Sequence, residues 1–266
     1  MRMENKVALV TGAAMGYRSG GPSIGSAIAL KLASEGAKVV ALDILEEMGQ
    51  RTADRITERR GEALFIRADV SKTGDVKNAI ETTRRKFGKL HCLVNCAATY
   101  ERDIHRNVVD IREEDWDYTI DVNLNGYFRL AKYAIPLMLE SGGGTIVNIS
   151  SAAAFRVLRN FSVYPVTKAA INALTRTIAV DFAPQIRCNA ICPGFVRIAN
   201  SEGDRSPDEV ERWVAEIAKS YPLRRVCSAE EVANVTLFLA SEDSSYINGE
   251  CLIVDGGRFI SDTHEF

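Results

Sequence analysis

The sequence predicts an α/β fold: a single domain with a doubly wound parallel sheet of about seven strands and helices on both faces. Short apolar runs recur along the chain and lack the polar alternation of half-exposed strands, which is typical of strands buried on both faces. Longer segments with helical periodicity separate these runs. Neither an internal repeat nor a linker-like tract interrupts this alternation.

Each predicted element has a local signal at its ends. Gly12 follows the first strand, and the first three helices stop at Gly36, Gly61 and Gly88. A capping box that starts at Ser228 opens the last helix. In chain order the predicted strands are 6–11, 38–43, 63–69, 91–95, 145–149, 187–192 and 251–255. The predicted helices are 23–35, 45–60, 74–87, 113–139, one that starts at 164, and 228–240.

The composition is that of an ordinary soluble globular protein, because 46% of the 266 residues are hydrophobic and 26% are charged. The net charge of −2 gives no reason to expect nucleic-acid binding. No apolar run is long enough for a membrane span or a signal peptide. The six cysteines are scattered through apolar stretches, so we expect free thiols, no metal site and a cytoplasmic location.

The residues from 144 to 168 carry the groups needed for proton transfer. Tyr164 follows Ser151 by thirteen residues, and Lys168 follows Tyr164 by four. Residues four apart share one face of a helix, so the phenol and the ammonium are expected side by side. A hydroxyl, a phenol and an ammonium together can move a proton on or off an alcohol oxygen. Taken singly, a Tyr–Lys pair is ordinary surface decoration and paired serines are ordinary turn formers.

A glycine turn joins the first strand to the first helix. Unpaired backbone N–H groups and the helix dipole make such a turn an anion site, and it resembles a dinucleotide-binding crossover. Gly12 and Gly25 are thirteen residues apart. We place Gly12 in the turn, Ser23 and Ile24 at the start of the helix, and Gly25 where helix and sheet approach closely. A second register, with Gly12 and Gly16 as the cradle, remains open.

Asp43 ends the second predicted strand. A carboxylate there accepts hydrogen bonds from both ribose hydroxyls of the adenosine half of NAD, and it repels the 2′-phosphate of NADP. NAD is therefore the predicted cofactor, and NADP is less favoured. Arg18, in the segment inserted between Gly12 and Gly25, is the feature that would offset this preference. If Gly12 did not stand upstream, Asp43 would be interpreted as an ordinary carboxylate of a turn.

The order and spacing of these motifs, from about residue 6 to 257, resemble the short-chain dehydrogenase/reductase family. The resemblance implies a Rossmann-like fold and reversible hydride transfer between a secondary alcohol and nicotinamide. It implies that Tyr164 is the base, that Ser151 binds the substrate oxygen, and that Lys168 also binds the nicotinamide ribose. It makes Asn123 the residue that holds a water in a proton relay. Further implied cofactor contacts are Asp69, Val70, Asn95, Pro193, Gly194 and Val196.

A phenol can act as this base only if its pKa lies far below the usual value. A free phenol ionises at about pH 10, and reaching about pH 7 takes roughly 4 kcal/mol. One positive charge about 4 Å away contributes on the order of 4 kcal/mol at an effective dielectric near 20. An ammonium together with an oxidised nicotinamide is therefore about sufficient.

Besides the segment inserted between Gly12 and Gly25, the chain departs from the family pattern at three positions. Cys96 and Ala98 stand in a segment that usually reads Asn-Asn-Ala-Gly, and the methyl of Ala98 affects how closely the backbone approaches the cofactor ribose. Ile198 stands where a threonine usually follows the Pro-Gly turn, so one hydrogen bond to the carboxamide is missing or replaced. Such departures also suit a non-catalytic cofactor-binding scaffold or sensor. A 3-oxoacyl reductase-type ketoreductase is a further alternative, whereas enoyl reductases place their lysine seven residues after the tyrosine.

The substrate is an alcohol or ketone whose other groups the sequence specifies only weakly. The segment 195–222 is polar, and we expect it to be mobile and to close the pocket. Arginines in stretches that border its mouth suggest a sugar, polyol or hydroxy acid, although solvated surface arginines are the more ordinary interpretation. These residues are Arg156, Arg159, Arg197 and Arg205. By analogy, the long helix and its successor form the interface of a homotetramer or homodimer.

Overall fold

A computed structural model describes residues 1–16, 21–99, 104–198 and 205–261 of the chain. Its strands are β1 (Val7–Thr11), β2 (Lys38–Asp43), β3 (Ala63–Arg67), β4 (Cys92–Asn95), β5 (Gly144–Ile149), β6 (Ile186–Pro193), β7 (Val196–Arg197), β8 (Cys227–Ser228) and β9 (Cys251–Val254). Within the described residues, seven of these strands form one parallel sheet in the order β3-β2-β1-β4-β5-β6-β9, and β7 pairs with β8. The predicted parallel sheet is therefore confirmed.

Helices cover both faces of this sheet. Successive side chains of β1 point to opposite faces: Ala8 and Val10 lie in one core cluster, and Val7 and Leu9 lie in the other. The first cluster includes residues of α1 and α8, and the second includes residues of α3, α5 and α6. The helices are α1 (Ile24–Ser34), α2 (Glu46–Glu58), α3 (Thr73–Phe87), α4 (Glu113–Ile120), α5 (Gly126–Glu140), α6 (Val163–Asp181), α7 (Pro207–Ala218) and α8 (Ala229–Ala240).

The strand order places the candidate site. The chain runs outward from β1 through β2 to β3, and then returns to place β4 on the other side of β1. In an open α/β sheet, ligands bind outside the carboxyl ends of the strands where this order reverses. The ends of β1 and β4 are tied together there, because the Thr11 hydroxyl accepts hydrogen bonds from the backbone of Cys96 (3.0 Å) and Ala97 (3.1 Å).

One prediction about a helix needs correction. The expected helix over 113–139 is not regular, because a π-helical turn at Asp121–Asn125 separates α4 from α5. The segment 195–222, whose role as a cover of the pocket stays a prediction, contains α7. Ser206 and Glu209 form a capping box at the start of α7, and Pro207 is its first residue. The predicted capping box at Ser228 is present on α8.

Three further observations concern membrane-spanning helices, cysteines and groups of metal-binding side chains. None of the helices in the described ranges combines the length and the apolar character needed to cross a membrane. The six cysteines are all free thiols. Among the residues that the structure describes, no group of three or more His, Cys, Asp or Glu side chains is placed to hold a metal ion.

Candidate active site

The carboxyl end of β5 and the start of α6 hold Lys168 next to Tyr164. The Lys168 side chain is only 2% exposed, and its Nζ donates a hydrogen bond to the carbonyl oxygen of Ile149 (2.9 Å). Its Nζ lies 5.4 Å from the centroid of the Tyr164 ring. The helical spacing of four residues thus brings the ammonium and the phenol together, as the sequence predicts.

The paired serines fix this arrangement from the strand side. Ser150 donates a hydrogen bond from its hydroxyl to the carbonyl oxygen of Lys168 (3.0 Å), which joins β5 to α6. Ser151 accepts a hydrogen bond from the backbone of Ala153 (3.1 Å) and thereby caps a short 3-10 turn. Its hydroxyl proton is free to turn towards another acceptor, since an accepted bond does not use it.

A second phenol, Tyr127 on α5, also faces the ammonium and was not predicted. Its ring centroid lies 5.5 Å from Lys168 Nζ, and its hydroxyl donates to the carbonyl oxygen of Ile149 (3.0 Å). Burial raises the pKa of Tyr127 well above its ordinary value. Tyr127 therefore stays a neutral phenol, and Tyr164 is the candidate for the base.

Two further aromatic rings form a stack with Tyr164. Phe161 stacks on Tyr164 with ring centroids 4.9 Å apart, and His105 stacks on Phe161, also at 4.9 Å. Ile104 is 1% exposed and belongs to the same apolar cluster. The surroundings of the candidate base are thus mainly apolar and aromatic.

Two buried amide side chains near these strand ends are incompletely paired. Asn123, in the π-helical turn, accepts a hydrogen bond from the Thr99 backbone (2.8 Å), while its Nδ2 has no partner among the described residues. Asn95, at the end of β4, donates to Asn148 (2.8 Å), and its Oδ1 is likewise unpaired in the described part of the chain. Buried polar atoms without partners are rare, so each marks a place for a bound group or water.

The glycines of the predicted cofactor turn are required by close packing. Gly12 has a φ of +66°, and a Cβ on it would lie 2.9 Å from the backbone of Ala97. A Cβ on Gly25 would lie 2.1 Å from the carbonyl oxygen of Gly12. α1 can therefore approach the end of β1 only because both positions lack a side chain.

Ser23 caps α1 at this turn. Its hydroxyl accepts a hydrogen bond from the backbone of Ser26 (3.1 Å) and donates to the carbonyl oxygen of Ala14 (2.7 Å). The first turn of α1, with Ile24 and Gly25, thus follows the cap directly. Gly16 lies outside the helix, where its backbone donates to the carbonyl oxygen of Gly21 (2.8 Å).

Asp43 closes the other side of the turn. Its Oδ2 accepts a hydrogen bond from the Ala14 backbone (2.9 Å), and its Oδ1 accepts one from Leu45 (3.0 Å). Burial raises the pKa of this carboxyl, and the backbone hydrogen bonds act in the opposite direction. A carboxylate offers about four acceptor sites, so Asp43 keeps acceptor capacity for the ribose. Arg18 lies outside the described residues.

The remaining predicted contacts lie beyond the ends of β3 and β6. Asp69 accepts a hydrogen bond from the Ser71 backbone (2.8 Å), and Val70 is 5% exposed. Gly194, after Pro193, donates its backbone N–H to the carbonyl oxygen of Val254 (3.0 Å). The next strand begins at Val196, which is 8% exposed, and Ile198 packs against the core.

Three of the four arginines of the predicted pocket mouth contact other protein groups. Arg197 pairs with Glu211 (2.5 Å), and the Arg205 guanidinium lies 4.3 Å from the centroid of the Trp213 ring. Arg156 donates to the carbonyl oxygen of Arg258 (3.3 Å), and Arg159 is exposed.

These features fit a dinucleotide. The close packing at Gly12 and Gly25 brings the N-terminus of α1 to the end of β1, and the backbone N–H groups at the start of a helix suit a diphosphate. Asp43 retains acceptors for one ribose. The unpaired atoms of Asn95 and Asn123 lie near the strand ends where the nicotinamide half of the dinucleotide would be held.

Comparison with known proteins agrees with the family resemblance that the motifs indicate. Residues 20–258 match the short-chain dehydrogenase family model described as enoyl-(acyl carrier protein) reductase. The chain is 37% identical to an uncharacterized oxidoreductase of Thermotoga maritima over 97% of this chain and 98% of the relative. It is 36% identical to cyclohexanol dehydrogenase of Acinetobacter sp. over 96% and 95% of the two chains.

A solved structure extends the similarity to three dimensions. Ligand-free aldohexose dehydrogenase of Thermoplasma acidophilum matches with a TM-score of 0.84 and 35% identity, over 97% of this chain and 96% of the other. These similarities span nearly the whole chain, and the predicted motifs lie within them. The chain therefore belongs to the short-chain dehydrogenase/reductase family, and it is an NAD(P)-dependent oxidoreductase of alcohols and ketones.

Proposed function

We propose that this enzyme interconverts a secondary alcohol and its ketone with NAD in preference to NADP. The observation that carries the proposal is the buried Lys168 ammonium, held by Ile149 at 5.4 Å from the ring of Tyr164. Burying an ammonium is costly unless it is paired. Its place beside a phenol is explained if it stabilises a negative charge on that phenol.

The proposed roles follow from the chemistry of each group. Tyr164, as tyrosinate, takes the proton from the alcohol oxygen, and Lys168 stabilises the tyrosinate. Ser151 donates a hydrogen bond to the same substrate oxygen as it gains negative charge. Asn123 holds, by donation from its Nδ2, the water that carries the proton onward. The bound nicotinamide supplies the hydride acceptor, or the hydride donor in the reverse direction.

The proposed cofactor contacts fall into three groups of residues. Gly12, Ser23, Ile24 and Gly25 are proposed to form the diphosphate site at the start of α1. Lys168 has three N–H donors, of which Ile149 accepts one, so donors remain for the nicotinamide ribose. The other proposed contacts are Asp43, Asp69, Val70, Asn95, Tyr164, Pro193, Gly194 and Val196.

Replacing Asp43 by Ala is expected to erode the preference for NAD. The ratio of kcat/KM with NAD to kcat/KM with NADP should fall by about 10- to 100-fold, because two charge-assisted hydrogen bonds and the repulsion of a 2′-phosphate are lost together. Steady-state rates with both cofactors measure this ratio. Asp54→Ala, at an α2 carboxylate that accepts a hydrogen bond from Gln50, serves as the control and should leave the ratio unchanged. An unchanged ratio in Asp43→Ala would show that another residue sets the preference.

We further propose that the alcohol bears an apolar ring or chain. The polar substrate suggested by the arginines lacks support in their contacts, because Arg197, Arg205 and Arg156 each have other partners. Apolar side chains instead surround Tyr164 and follow Ser151. Those after Ser151 are exposed: Phe155 (41%), Val157 (70%) and Leu158 (58%). Exposed apolar residues clustered beside a site favour apolar ligands. The relative that oxidises cyclohexanol agrees with this class, and the aldohexose dehydrogenase does not.

Cyclohexanol and myo-inositol form a matched test, since both are six-membered carbocyclic alcohols. With NAD present, NADH absorbance should appear with cyclohexanol, and kcat/KM should be at least about 100-fold lower with myo-inositol, whose extra hydroxyls would be buried unpaired. A preference for myo-inositol would overturn the substrate class alone. Failure of every secondary alcohol and ketone in such a panel, with either cofactor, would overturn the proposed reaction and favour a cofactor-binding scaffold.

Reduction of a 3-oxoacyl thioester is the second candidate reaction, and the same assay run with NADH or NADPH tests it. The name of the matched family model does not make this chain an enoyl reductase, because its lysine follows Tyr164 by four residues rather than seven.

The oligomeric state stays a prediction. A homotetramer or homodimer through α5 and α6 is supported by the exposed side chains of Phe128 (49%) and Val166 (45%).

A further inference from the structure

A buried tyrosine contacts the turn at Pro193 and Gly194, which is proposed to face the nicotinamide. Tyr221 is 2% exposed and follows α7. Its hydroxyl accepts a hydrogen bond from the backbone N–H of Phe195 (2.8 Å). A Cβ on Gly194 would lie 3.1 Å from both Oη and Cε1 of Tyr221, so the phenol packs closely against this turn.

Residues 255–259, called the C-terminal segment below, bind the same hydroxyl. Arg258 donates a hydrogen bond to Tyr221 Oη (3.3 Å), and its guanidinium lies 5.1 Å from the centroid of the ring. Asp255 holds that segment by accepting hydrogen bonds from the backbone of Gly257 (3.0 Å) and Phe259 (2.6 Å). The Tyr221 hydroxyl therefore joins two segments that are remote in sequence.

The C-terminal segment also contacts the loop that follows Ser151. The Arg258 carbonyl oxygen accepts a hydrogen bond from Arg156 (3.3 Å), and the rings of Phe155 and Phe259 meet edge to face at 5.9 Å. One continuous set of contacts thus runs from the Pro-Gly turn through Tyr221 and Arg258 to the loop that follows Ser151.

We propose that Tyr221 is a positioning residue for the nicotinamide half of the cofactor, and that Arg258 holds its hydroxyl in place. The hydroxyl gives the Phe195 N–H its acceptor and so fixes the backbone of the turn. This support is independent of the side chain at Ile198, where the family usually has a threonine. The inference rests on the proposed function, because it assumes that this turn faces the nicotinamide.

Tyr221→Phe separates this role from a general structural one. The ring and its packing remain, and only the hydroxyl is lost. The Kd for NAD should rise about tenfold, which corresponds to about 1.4 kcal/mol, the size of one hydrogen bond. The Kd for ADP-ribose, which lacks the nicotinamide, should stay within twofold. Arg258→Met should weaken NAD binding in the same direction by a smaller factor. Tyr246→Phe, at a fully exposed tyrosine, is the matched control.

Calorimetric titration of the whole chain with each ligand measures these constants. An unchanged Kd for NAD in Tyr221→Phe, or equal weakening of NAD and ADP-ribose, would overturn the positioning role. If the unmodified chain bound neither ligand, the failure would instead lie with the proposed cofactor site. If the unmodified enzyme turns over an alcohol, the KM for NAD should rise in Tyr221→Phe by about the same factor as the Kd.

Discussion

Replacing Tyr164 by Phe is expected to lower kcat for alcohol oxidation by at least about 1,000-fold, within the range attributed to a positioned acid–base group. The substitution removes only the hydroxyl, so the stacking on Phe161 and the packing against Lys168 are retained. The Kd for NAD should therefore change less than about threefold. Steady-state rates and an NAD titration of the same preparation measure the two quantities.

Tyr127→Phe is the matched control for this loss. Both phenols lie about equally far from the Lys168 ammonium, with ring centroids at 5.4 and 5.5 Å, but the Tyr127 hydroxyl is committed to Ile149. Its removal should cost roughly 1 kcal/mol of unfolding free energy and less than about tenfold in kcat. A Tyr164→Phe enzyme that retained a tenth or more of the normal rate would contradict the assignment of Tyr164 as base.

Replacing Gly25 by Ala is expected to cause the second large effect. The new Cβ would lie 2.1 Å from the carbonyl oxygen of Gly12 and 2.7 Å from its carbonyl carbon, and these backbone atoms cannot move aside as a flexible side chain can. α1 must therefore shift away from the turn. The free energy of unfolding should fall by about 3 kcal/mol, which lowers Tm by roughly 6–12 °C. NAD binding should be lost with the turn.

Gly74 provides a control of the same kind. It is the second residue of α3, as Gly25 is of α1, but a Cβ on Gly74 would meet nothing within 4 Å among the described residues. Gly74→Ala should leave Tm unchanged or raise it slightly, since alanine restricts the unfolded chain. Normal Tm and normal NAD affinity in Gly25→Ala would show that α1 does not depend on this close approach.

The parts of the site that the sequence predicts are those that local geometry determines. Lys168 meets Tyr164 because a helix places residues four apart on one face. The strands are recognisable because burial on both faces leaves continuous apolar runs, as in β1 and β2. The strand order then brings their carboxyl ends together, so Gly12, Asn95 and Ser151 lie along one edge of the sheet.

The parts that sequence reasoning missed depend on packing between distant segments or on a weak local signal. Tyr127 binds Ile149 across 22 residues, and Tyr221 binds Phe195 across 26. No local pattern predicts such pairs. α7 is an exception, because its sequence carries both a capping box and an apolar stripe at Val210, Trp213, Val214 and Ile217. These signals are sufficient to predict the helix. The π-helical turn around Asn123, by contrast, leaves the apolar pattern of 113–139 unbroken.

A crystal structure of the enzyme with NAD and a non-oxidisable alcohol, such as trifluoroethanol, tests the proposed chemistry most directly. We expect Lys168 Nζ to bind the hydroxyls of the nicotinamide ribose, and the alcohol oxygen to lie within about 3 Å of both Tyr164 Oη and Ser151 Oγ. An alcohol oxygen bound away from Tyr164, or a dinucleotide that leaves Lys168 without contact, would contradict the proposed catalytic roles.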